Sequence, residues 1–73
     1  METPMDDSTL DVLKEFFVQV TLPDHIELYP GTRITDIPLF LKTQFNIVEN
    51  GSAVVKRPAF ERLLKLRELL AGA

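Results

Sequence analysis

Ile26-Glu27-Leu28-Tyr29-Pro30-Gly31-Thr32-Arg33-Ile34-Thr35-Asp36-Ile37-Pro38 is the stretch that decides how this chain is divided. One amphipathic pattern precedes it and two follow it. The stretch itself is not helical in pattern. It holds two of the five prolines, one of the three glycines and the only tyrosine. His25 to Tyr29 alternates polar and apolar residues, which suits an extended segment with Ile26 and Leu28 facing one way. Nothing else in the chain reads as a partner strand, so the expectation is an extended loop laid across helices. Tyr29-Pro30-Gly31-Thr32 reads as a turn with proline and glycine at its centre.

Upstream, Leu10, Val12, Leu13, Phe16, Phe17 and Val20 fall on one arc at helical spacing. Ser8 is the expected N-cap, with Asp11 completing an approximate capping box. Asp6, Asp7 and Asp11 suit the positive end of a helix. Residues 1–7 read as a flexible acidic tail. Val18 falls on the polar side. Leu22-Pro23 ends the helix, because proline disfavours helical geometry in the residue before it.

Downstream, Thr35 is the expected second N-cap, with Pro38 early enough to cost little. The second helix is predicted over Asp36 to Glu49, with Ile37, Phe40, Leu41, Phe45, Ile47 and Val48 inward. Gln44 interrupts that arc, and Leu39 lies outside it. Asn50-Gly51-Ser52 is a helix stop, with glycine or asparagine available for a left-handed C-terminal position. Ala53 to Lys56 reads as a short link. A third helix is predicted from Arg57 to Leu70, with Pro58 in its first turn. Ala59, Phe60, Leu63, Leu64, Leu66 and Leu70 face inward, and Leu69 lies outside. Glu61 and Lys65 are placed for an i,i+4 pair. Arg67 falls inside the apolar arc.

The fold class expected is all-α: a compact three-helix domain over residues 8–71, with a long ordered loop between helices 1 and 2. A chain of 73 residues is one domain at most. At this size it buries only roughly 60% of its unfolded surface. It has no cysteine and one histidine, which leaves no disulfide and argues against an ordinary zinc site. No cofactor is expected. No apolar run approaches the roughly 20 residues that cross a bilayer. The acidic N-terminus has no signal-peptide pattern. These features suit a soluble protein of the cytoplasm.

The net charge of −3 is unevenly divided: residues 1–51 carry −6 and residues 52–73 carry +3. Either the basic end docks on the acidic remainder, or it offers a face to nucleic acid. The acidic whole favours the first, since a negative field opposes a phosphate backbone.

Leu22-Pro23, Ile26-Glu27-Leu28, the run from Gly31 to Phe40 and the run from Phe60 to Leu70 resemble a family of short uncharacterised proteins of Bacteroides-type bacteria, classed as a domain of unknown function. The resemblance covers residues 10 to 70, and Ile34 to Phe40 is its specific part. It implies a small helical fold and an intracellular bacterial protein. It implies no activity.

The residues support no catalytic constellation. His25 beside Asp24 has no activated nucleophile in view. The scattered glycines form no phosphate loop. Gln44 and Arg67 each break an apolar face and need partners. The expectation for Gln44 is a bond to loop backbone, and for Arg67 an ion pair with Asp36, Glu27 or another acid. Tyr29 is expected to pack over the helices with its hydroxyl bonded. The residue types favoured at binding hot spots make Tyr29 and Arg33 candidate contacts, alongside Leu39 and Arg67. The reading is a non-enzymatic module that binds another protein or its own copy. The alternative is a nucleic-acid-binding helical domain using Arg57, Arg62 and Lys65. An expected eight-residue link before the last helix argues against a helix-turn-helix.

Overall fold

The computed structural model describes residues 6–72. The order of elements is α1 (Asp7–Gln19), β1 (Ile26–Tyr29), β2 (Thr32–Ile34), α2 (Ile37–Asn50) and α3 (Ala53–Ala71). The three expected helices are present, but the domain is mostly helical rather than purely so. The stretch between α1 and α2 folds back as an antiparallel hairpin. The tail expected over residues 1–7 lies outside the described residues as far as residue 5.

The hairpin corrects the expectation of an unpaired extended loop. Its turn is Pro30-Gly31, and Gly31 has φ +82°, the conformation that a type II turn demands at that place. The turn brings Thr32-Arg33-Ile34 back alongside β1. Ile26 then faces Ile34, Glu27 faces Arg33 and Tyr29 faces Thr32. A type II turn twists against a hairpin, and the register shifts between Glu27 and Tyr29. Leu28 sits at that shift and is buried at 3% exposure. It anchors the hairpin in the core, as the alternation in the sequence implies.

Both early helices take aspartate rather than hydroxyl caps. Asp6 Oδ1 accepts from the Thr9 backbone N–H at 2.8 Å, so α1 begins before Ser8. Asp36 Oδ1 accepts from the Leu39 N–H at 3.2 Å, so Thr35 stays outside α2. An ionised carboxylate adds charge attraction to the same hydrogen bond. The Asp6 carboxyl is accordingly held below the ordinary aspartate value, first by its bond from the Thr9 backbone.

The third helix departs furthest from expectation. It starts at Ala53, where a link was expected, and only Gly51-Ser52 joins it to α2. The Val55 and Lys56 N–H groups both donate to the Ser52 carbonyl, at 3.1 and 2.9 Å. Pro58 lies inside the helix. It gives the Val54 carbonyl no N–H four residues on, at a residue that is 83% exposed. Gly51 is extended at φ −79°, not left-handed. A Cβ there would lie 2.5 Å from the Ile47 carbonyl oxygen and 2.7 Å from Val55 Cγ2. Close approach, rather than backbone conformation, requires the glycine.

The core is one cluster centred on Leu13, Ile37, Phe60, Leu63 and Leu66. Helix α3 is its spine, packing along α2 and against α1 and β1. Among the described residues the α1 and α2 backbones do not approach as closely, and these two helices meet through side chains. Val12, expected inward, is exposed, whereas Leu69, expected outside, packs partly against the core.

Candidate docking face between α1 and α2

Because α3 holds α1 and α2 from one side, the other side of that pair stays open. A groove of about 500 Å³ runs there, lined by Lys14, Phe17, Val18, Leu22, Pro38, Leu41 and Phe45. Only one of these residues is charged. A second cleft of about 470 Å³ adjoins it across Phe45, with Leu39, Lys42, Thr43, Asn46 and Glu49. Val18 is 84% exposed and Leu39 is 58% exposed. Single exposed aliphatic residues are ordinary. Here Val18 lines the apolar groove and Leu39 lines the cleft that adjoins it, on either side of Phe45, and neighbouring exposed apolar residues are a feature of contact surfaces.

Local chemistry holds the groove in shape. Phe17 meets Phe45 edge-on, with ring centroids 6.2 Å apart. The Lys14 ammonium pairs with Glu49 and stands 5.7 Å from the Phe45 ring centroid. The Glu49 hydrogen bond holds the Lys14 ammonium above the ordinary lysine value. Helix periodicity dictates this arrangement. Lys14 and Val18 are one turn apart on the outer side of α1, and Pro38, Leu41 and Phe45 follow one side of α2.

The four contact residues expected from the sequence are not gathered at one place. Leu39 edges the second cleft. Tyr29 and Arg33 stand exposed on the hairpin. Among the described residues the Tyr29 hydroxyl has no protein partner, contrary to the expectation that it is bonded. Arg67 is also exposed. Its guanidinium carbon lies 5.9 Å from the Phe16 ring centroid, and the residue lines a separate cleft with Leu64, Glu68 and Ala71. Its partner among the described residues is thus an aromatic face rather than an acid. Asp24 and His25 are exposed in the link before β1.

Gln44 is buried as expected, but its partner is different. Arg62 donates from Nη1 to Gln44 Oε1 at 3.2 Å, tying α3 to α2. Arg57 lies 3.5 Å from Glu61, so Glu61 pairs a turn back along α3 rather than forward to Lys65. Two members of the basic group are therefore engaged within the fold. The two-residue link between α2 and α3 removes the length objection to a helix-turn-helix.

The sequence had flagged Val18 and Leu39 as lying outside the buried arcs. It missed Leu22 and Pro38, which read only as punctuation, and Phe45, which read as core. Among the described residues no group of His, Cys, Asp and Glu is placed to hold a metal ion. None of the described helices is long and apolar enough to cross a membrane.

No curated protein and no solved structure matches the chain significantly. A family model does match, from residue 8 to residue 72, a span that takes in nearly all of α1, the hairpin and the α2–α3 pair. By that match the chain belongs to the family described as Domain of unknown function (DUF6965).

Proposed function

We propose that this domain is a non-enzymatic protein-interaction module whose docking face is the open side of α1 and α2. The observation that carries the reading is the apolar groove with Val18 exposed on its wall and Leu39 exposed at the cleft adjoining it. Burying such a face stabilises a complex by roughly 25 cal/mol per Å² of apolar surface, before the cost of association. Tyr29 and Arg33 extend the proposal to the hairpin and Arg67 to the α3 cleft, as secondary contacts. Origin in a Bacteroides-type bacterium and residence in the cytoplasm belong to the same proposal. The partner is another protein or a second copy of this chain.

Sedimentation across a wide concentration range, together with affinity capture, tests the reading. The Val18→Glu/Leu39→Glu variant serves as the control. Self-association or capture by the native chain, abolished in the variant while its helical circular dichroism is retained, is the expected result. A strict monomer that captures nothing removes the support for this reading. Salt-sensitive duplex DNA binding, lost on changing Arg57, Arg62 and Lys65 to alanine, would favour the nucleic-acid reading instead.

A further inference from the structure

We draw no further inference here: the strongest candidate, the apolar groove between α1 and α2, belongs to the site already described, and with its one charged lining residue, Lys14, already paired with Glu49, nothing in the structure shows which occupant covers it.

Discussion

Gly51 and Gly31 are both turn glycines, yet different physics holds each in place. At Gly31 there is room for a Cβ, but φ is +82°. At Gly51 the backbone is ordinary, but a Cβ would collide with Ile47 and Val55. Gly51→Ala should therefore cost about 1–3 kcal/mol as an overpacking change. Gly31→Ala should cost about 1 kcal/mol through backbone strain. Urea denaturation of both variants checks the pair. A neutral Gly51→Ala would show that the α2–α3 joint has slack. This distinction was not legible in the sequence, where Gly31 read as the centre of a turn and Gly51 as part of a helix stop offering a left-handed C-terminal position.

Single titrating groups behave as their surroundings dictate. The Asp6 carboxyl is held below 3.8 by the Thr9 backbone bond. Its contribution to the start of α1 is present above the unfolded pKa and is lost as pH falls through the folded one. A carboxyl titration by NMR should place Asp6 below a free aspartate, and a normal midpoint would mean that the cap is not formed. Lys14 has the opposite sign. Its value is raised above 10.5 by Glu49, so its contribution persists at neutral pH and is lost only as pH rises through that raised value.

At the scale of elements, the hairpin and the start of α3 explain most of what the sequence concealed. Periodicity revealed three helical faces because each has several apolar residues at helical spacing. It did not reveal β2, because three residues are too few to display alternation. The turn at Pro30-Gly31 was legible, but what it brought together was not. Leu28 is the hairpin's anchor, and Leu28→Ala should cost about 2–4 kcal/mol. A loss near zero in thermal unfolding would mean that the hairpin is not docked through this residue.

Pro58 misled in a different way. Proline favours the first turn of a helix, so α3 was expected to begin beside it. The helix instead starts at Ala53, because the tight Gly51-Ser52 joint leaves the chain already turned along α2. That first turn is exposed at Val54 and Val55 and lacks the bond that Pro58 cannot donate. Its amides should exchange faster than those of Phe60 to Leu66. Pro58→Ala should slow that exchange and stabilise the domain by about 1 kcal/mol, less than the roughly 3 kcal/mol of a mid-helix proline. Hydrogen exchange read by mass spectrometry checks both statements.

The whole molecule measures 29 × 25 × 24 Å, with α3 as the element that the others share. This gives the domain a packed side and an open one. The buried set was largely readable, since the centres of the apolar arcs, including Leu13, Ile37, Phe60, Leu63 and Leu66, are the residues most completely enclosed. The open side was readable only as two misplaced aliphatic residues, Val18 and Leu39. Its groove depends on the gap between α1 and α2, a tertiary feature that no single periodic pattern encodes.

Family membership over residues 8–72 gives this architecture a home without an activity, so the open side bears the functional argument. Photo-crosslinking in the native cell tests it most directly. A photoreactive residue would replace Val18 or Leu39 in turn, with exposed Glu61 on α3 as the control position. The account predicts protein adducts, with another chain or a second copy, at Val18 and Leu39 and none at Glu61. Adducts confined to Glu61, or none at any of the three, would contradict it.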